Sequence, residues 1–242
     1  MAYDKAVDST ALDNGLTLIA DAVRQKYALT GSLKFPDGIA NAVTNAEDSL
    51  EQRLKNTMVE YTNPNVTQIV NYGFAGQSNL ERVSLPNLQK IGEFGFCDAT
   101  RLSRINFPSL VSISYQSFRR CSGLGEFITT SAFDSRIDIS AFEGCNGLKK
   151  IDLYHINKLG ISNYALSCKN LKALIIRNTD FVPPVQQASF GDFAANLRAG
   201  TGYIYVPAAM VDSYKAATNW STYADQIMAI EDYPEITGGA TV

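Results

Sequence analysis

Between Val66 and Ile176 the chain repeats itself five times. A large apolar residue recurs at Phe74, Phe96, Phe118, Phe142 and Leu166, at spacings of 22, 22, 24 and 24. A leucine follows each one six residues later, or five in the last copy: Leu80, Leu102, Leu124, Leu148 and Leu171. Three residues after each leucine comes an alternating pair: Val83/Leu85, Ile105/Phe107, Phe127/Thr129, Ile151/Leu153 and Leu174/Ile176. A fixed period of this size is the signature of a solenoid. One coil alone cannot bury its apolar residues, whereas stacked coils bury a continuous ladder of each and touch only their neighbours. The expected fold class is therefore an α/β repeat: a right-handed solenoid of about five to six coils over residues 58–207. A build of this kind points to binding rather than catalysis.

Each alternating pair reads as a short strand with neighbouring side chains on opposite faces. Stacking pairs these strands into a parallel sheet and leaves two outward ladders. One is Arg82, Arg104, Glu126, Lys150 and Ala173; the other is Ser84, Asn106, Ile128, Asp152 and Ile175. Tyr115, Tyr154 and Arg177 fall near its edges. The candidate binding face is accordingly Arg82, Ser84, Arg104, Asn106, Glu126, Lys150, Asp152 and Tyr154. These residues mix signs, so the face does not have the basic character that phosphate or nucleic acid demands.

The flanks do not share the repeat. Leu12, Leu16, Ile19 and Val23 step by 4, 3 and 4 and so share one helix face. That stripe is short for a coiled coil. It fits either a helix folded on the protein's own body or one that docks on another subunit or partner. A second short helix is expected from Pro36-Asp37, where proline suits a first turn. Leu50, Leu54 and Met58 suggest a third, although Met58 to Tyr61 reads equally as the first strand of the solenoid. Residues 1–57 are thus expected to be a helical attachment segment. After Val182-Pro183-Pro184 the last coil is distorted, with Phe190 and Phe193 in the phased aromatic role. Tyr203 to Val206 reads as a final strand stopped by Pro207. Residues 208–233 read as a helical cap, with Met210, Val211, Tyr214, Ala217, Trp220, Tyr223, Ile227 and Ile230 inward, because an open solenoid end needs covering. Residues 234–242 read as a loose tail.

The net charge of -3 argues against general affinity for nucleic acid or anionic membranes. Met1 to Thr10 lacks the apolar core of a secretory signal, and no stretch is long enough to span a bilayer. The expected place of synthesis is the cytoplasm. Cys97, Cys121, Cys145 and Cys168 are spaced 24, 24 and 23 apart, which is the repeat period. They read foremost as a ladder of small buried thiols, with disulfides or a metal site as the alternatives. His155 is the only histidine, so no two-histidine metal motif exists. No phosphate loop or dinucleotide fingerprint is present, and no cofactor is expected. Glycoside cleavage needs only two carboxylates that meet in space, and Glu126 and Asp152 are the candidates for it.

The repeats resemble the BspA-like class of leucine-rich repeats. Ile91-Gly92, Gly95-Phe96, Leu102, Ile105 and Phe107-Pro108 match its pattern. So do Ile113, Ser117-Phe118, Cys121, Leu124 and Phe127, and then Ile137, Ala141-Phe142, Cys145, Leu148 and Ile151. Cys97 comes two residues early, the fifth copy is one residue short, and Ser131 to Arg136 is an insert. Tyr203 to Ile227 resembles the usual closure of these proteins. The resemblance implies the fold; the family's members include adhesins, secreted antigens and phage proteins. Leu16 to Arg24, followed by Leu33 to Ala40, resembles a segment of tail-associated virion proteins from phages and prophages of Gram-positive bacteria. Together these imply a non-enzymatic virion component of the tail or baseplate. Its residues 1–57 would contact other virion proteins, with a homo-oligomer open, and its solenoid would contact a host-surface glycan or protein. The alternatives are a bacterial surface adhesin or interaction protein, and a glycan hydrolase on a solenoid scaffold.

Overall fold

The computed structural model describes residues 59–236. The attachment stripe of Leu12, Leu16, Ile19 and Val23, the other expected helices before residue 59, and the tail from residue 237 lie outside the described residues. Within them the chain winds as stacked coils with strands on two walls. The main wall carries β1 (Glu60–Thr62), β3 (Arg82–Ser84), β5 (Arg104–Asn106), β7 (Glu126–Ile128), β8 (Lys150–Leu153), β9 (Ala173–Ile176) and β10 (Tyr203–Val206). A narrower second wall carries β2 (Gln68–Ile69), β4 (Lys90–Ile91) and β6 (Ser112–Ile113). These strands were not anticipated from the alternation, because two residues are too short for a period of two to show. Every pairing is parallel, and each joins strands of consecutive coils.

The phased residues fill the interior as expected. Leu80, Leu102, Leu124, Leu148 and Leu171 are fully buried, as are Phe96, Phe118, Phe142 and Leu166. Phe74, in the first coil, is only half-buried. The rings form a continuous near-parallel stack: Phe74 to Phe96 at 5.1 Å, Phe96 to Phe118 at 5.4 Å and Phe118 to Phe142 at 5.4 Å between centroids. Offset stacks of this kind add to the burial of each ring.

The turn between the walls is also bonded coil to coil. Tyr72, Phe94, Gln116, Ser140 and Tyr164 occupy one position in successive coils, all with positive φ. Each donates its backbone N–H to the next coil, as from Phe94 to Tyr115 O at 3.0 Å and from Gln116 to Ile139 O at 3.1 Å. The left-handed conformation is costly for such side chains, but it aims one N–H per coil along the solenoid axis. The break at Pro183-Pro184 is absorbed by Gly160. A Cβ there would lie 1.8 Å from Pro184 O, and its φ is +68°.

The cysteines continue this ordering. All four are free and buried. The Cys121, Cys145 and Cys168 thiols donate to the carbonyls of Phe96, Phe118 and Phe142 at 3.0, 2.9 and 3.1 Å. Each thiol thus bonds the carbonyl of the phased phenylalanine one coil earlier. A small apolar side chain with a weak donor fits that place better than alanine, which leaves the carbonyl without it.

The last coil departs from the others at α1 (Phe193–Arg198), where Phe193 and Leu197 point into the core. Beyond β10 the cap comprises a 3-10 turn over Ala208–Met210, α2 (Val211–Ala216) and a second 3-10 segment over Ser221–Gln226. The cap is not wholly helical. Ile227–Ala229 forms β11, which pairs with β10 and extends the sheet. Ile227 therefore faces inward from a strand, as Val83 and Ile151 do, rather than from a helix. Trp220 is fully buried and its indole N–H donates to Pro183 O at 2.9 Å, closing the core over Phe190.

Two outcomes follow for stability. Phe118→Ala removes the middle ring of the stack and is expected to cost about 3–5 kcal/mol, with Phe74→Ala costing less; urea unfolding monitored by circular dichroism measures both. Burial pushes the Cys145 thiol up to about 12 and the Cys121 and Cys168 thiols well above the ordinary 9.0. Ionisation is thus held back only in the folded state. The stabilisation is full below 9.0 and is lost as pH rises toward about 12. The urea midpoint should fall across that range, and fall less in Cys145→Ala. A thiol reagent at neutral pH should label these three only after unfolding.

Candidate functional site

The main wall places the expected ladder residues in the register anticipated for them. Arg82 is level with Arg104, and Ser84 with Asn106. Glu126 is level with Lys150, and Ile128 with Asp152. Their outer surroundings differ from the expectation along the solenoid. At the first coils the face is open and polar: Arg82 Nη2 lies 3.1 Å from Glu60 Oε2, and the Asn106 amide donates to Ser84 Oγ at 3.0 Å. Lys150 Nζ lies 3.2 Å from Glu126 Oε2. Arg104 is exposed and has no ion-pair partner among the described residues.

At the last coils the face is closed. Asp152 is buried rather than exposed, and so are Ala173 and Ile175. For Ala173 and Ile175 the reason is the chain beyond β11. Ile230, Tyr233 and Ile236 pack with Ala173, Ile175 and Tyr205 in a small apolar cluster on the outer side of the sheet. Ile236 therefore belongs to a packed segment and not to the loose tail. Asp152 is held by Arg177, whose Nε and Nη2 donate to its two carboxylate oxygens at 2.8 Å each. This bidentate pair explains why an acid is tolerated there. It takes Asp152 out of the binding face and makes it a structural residue.

The pairing also weakens the carboxylate pair considered for glycan cleavage. Glu126 faces Lys150, and Asp152 is fully engaged by Arg177. His155 Nε2 stands 3.2 Å from Asp180 Oδ1 and packs on Phe181. Among the described residues no nucleophile is hydrogen-bonded to it. Among the described residues, no three of His, Cys, Asp and Glu are grouped to hold a metal.

One feature of this face was not anticipated. The main wall is not one sheet but two: β1-β3-β5 and β7-β8-β9-β10-β11. At other junctions backbone bonds cross between coils, as from Arg104 N to Glu81 O, Lys149 N to Gly125 O and Leu85 N to Asn106 O. Between β5 and β7 the corresponding bonds, Glu126 N to Ser103 O and Phe107 N to Ile128 O, are not made. The gap is pinned at both ends. Gly123 lies against Arg101, where a Cβ would meet its carbonyl carbon at 2.9 Å. Thr130 Oγ1 and Ser131 Oγ both donate to Pro108 O at 2.9 Å. Between the pins is a cavity of about 180 Å³, bounded by Ser103, Arg104, Ile105, Phe107, Leu110, Glu126, Phe127 and Ile128. Its lining mixes apolar side chains with polar groups, its rims carry Arg104 and Glu126, and Ile128 stands exposed beside it. The sequence signals were present in Gly125, before β7, and in the insert at Ser131 to Arg136.

A second surface lies on the other wall. Tyr72, Phe94 and Tyr115 form a row, with centroids 4.7 Å apart in the first pair and 5.2 Å in the second. Beside it a shallow groove of about 570 Å³ is bordered by Gln68, Lys90, Ser112 and Ser114.

A parallel-stranded solenoid with leucine and phenylalanine ladders defines a leucine-rich repeat protein. The family model of the BspA type leucine rich repeat region matches residues 67–192 in six copies, and the chain belongs to that family. No curated protein sequence matches it. Among solved structures it is similar to the pneumococcal vaccine antigen PcpA, with 21% identity and a TM-score of 0.54 over 71% of this chain and 40% of that one. It is also similar to a leucine-rich repeat protein of T. pallidum, with 24% identity and a TM-score of 0.46, over 49% of this chain and 59% of that one. A third is a leucine rich cell surface protein of Faecalibacterium prausnitzii, with 17% identity and a TM-score of 0.42, over 62% of this chain and 38% of that one. The chain thus spans less than two thirds of the length of these relatives.

The different surroundings of the ladder residues are separable by mutation. Arg177→Met leaves the Asp152 carboxylate buried without its partner and is expected to cost about 2–3 kcal/mol, somewhat less than a fully buried pair because Arg177 is partly exposed. Arg82→Ala at the open end is expected to change stability by no more than about 1 kcal/mol. Chemical denaturation of the two variants checks the contrast.

Proposed function

We propose that this chain is a non-enzymatic recognition protein of a bacterial cell surface. It binds a protein partner through the open part of the main wall, around Arg82, Ser84, Arg104, Asn106, Glu126, Lys150 and Tyr154. The observation that carries this reading is the contrast within one sheet. Its last coils are sealed by the segment after β11, while the coils before them present polar side chains and the opening between β5 and β7 to solvent. A solenoid offers such a face without needing any one loop to be ordered. The pneumococcal protein of similar fold is a vaccine antigen, which favours an exposed place on a cell. No arrangement of the kind needed for acid–base or nucleophilic catalysis is assembled on the described residues.

The second reading is a virion component of the tail or baseplate, with the solenoid turned toward the host. It rests on the resemblance of Leu16 to Arg24 and Leu33 to Ala40 to tail-associated proteins, and on nothing in the solenoid. Protease shaving of intact cells of the source organism, compared with mass spectrometry of particles released by prophage induction, separates the two. Peptides of this chain in the shaved fraction support the cell surface; their presence only in particles supports the virion. Under either reading, reversing charge at Arg82, Arg104 and Lys150 together should lower binding of the purified chain to target cells by roughly tenfold while the fold is kept. Unchanged binding would remove the main wall as the recognition face.

A further inference from the structure

We propose that the opening between β5 and β7 is a socket for one apolar side chain of a partner protein, presented on extended backbone beside a carboxylate. This deepens the reading of the main wall as a recognition face and rests on it. Four observations converge. First, the two facing strand edges carry polar backbone groups that every other main-wall junction pairs and this one does not: Ser103 O and Phe107 N–H on one side, Glu126 N–H and Ile128 O on the other. Unpaired edges of this kind are what extended segments bind. Second, the gap is fixed in width by the contact of Gly123 with Arg101 and by the bonds of Thr130 and Ser131 to Pro108 O. It is therefore built into the coil stack and not a strand pair frayed at its end.

Third, size and lining select the occupant. A cavity of about 180 Å³ floored by Ile105, Phe107, Leu110 and Phe127 is of the order that accepts a benzene-sized group. A phenylalanine or leucine side chain is of that size. Fourth, the charges at the mouth are unequal. Glu126 is neutralised by Lys150 at 3.2 Å, whereas Arg104 is exposed and has no ion-pair partner among the described residues. The net field at the rim is positive, so a carboxylate next to the inserted side chain is favoured. Neither the sealed end of the sheet nor the intact junctions on either side offer this combination.

The probes are N-acetyl-phenylalanine, which carries ring and carboxylate, and its neutral amide. Chemical shifts of the Ile105, Leu110 and Ile128 methyl groups are followed by NMR on the full chain. Both probes should give saturable shifts at these methyls, with the acid binding roughly two- to fivefold more tightly, the range for an exposed ion pair. Arg104→Gln should remove that preference. Ile105→Trp fills the socket from below and should abolish the shifts of both. Because Ile105 is half-buried and its replacement can perturb the fold, Ile128→Trp at the exposed rim provides the same block from outside. Thr62→Trp, at an exposed position on the intact junction of β1 and β3, should leave binding unchanged. The absence of saturable shifts, equal affinity for acid and amide, or binding that survives Ile128→Trp would overturn the proposal. The readout uses small probes on the isolated chain, so it stands or falls separately from the cell-binding assay.

Discussion

Every part of this structure depends on the coil-to-coil register of about one repeat. A residue and its counterpart 22 to 24 positions later meet in space on the strands, with the one longer step of 30 between β9 and β10, and the turns are bonded coil to coil as well. Neither the stacked phenylalanines, nor the thiol-to-carbonyl bonds, nor the positive-φ turns would form in a coil standing alone. Stability in such an array is a sum of intrinsic coil terms and nearest-neighbour terms. That makes identical placement of Phe96, Phe118 and Phe142 more important than the identity of most exposed residues between them.

The same rule accounts for how much of the fold was legible in the sequence. Phased Phe, Leu and Cys residues mark the interior because each must meet its own kind one coil away, so the period alone identifies them. The ladder registers were legible for the same reason, down to Glu126 beside Lys150. What could not be read was whatever the repeat does not encode. Burial of Ala173 and Ile175 depends on Ile230, Tyr233 and Ile236, which lie far along the chain and carry no periodic mark. β11 was mistaken for helix because Ile227 and Ile230 fall at a helical spacing. In fact one lies in a strand and the other in the turn after it. The two-residue strands of the second wall are below the length at which alternation is visible.

The site shows a further limit. Choosing its residues by outward position identified Arg104 and Glu126 correctly as exposed, but not that their strands part. An alternating pattern states which way a side chain faces and is silent on whether the backbone beside it is bonded. Only a departure from the repeat hints at that, and here it is the glycine before β7 together with the insert that follows the strand. Family membership settles the scaffold and leaves the ligand to the exposed residues, since one fold hosts many functions.

The parting of β5 from β7 also bears on how the array comes apart. In a one-dimensional stack the free energy of breaking a junction varies along the axis, and cooperativity is weakest where the coupling is smallest. Between coils three and four the Phe118–Phe142 stack and the turn bonds remain, but the main-wall ladder contributes nothing. That junction is the natural domain wall of the array, so the chain has a site at which one block of coils can melt while the other stays folded.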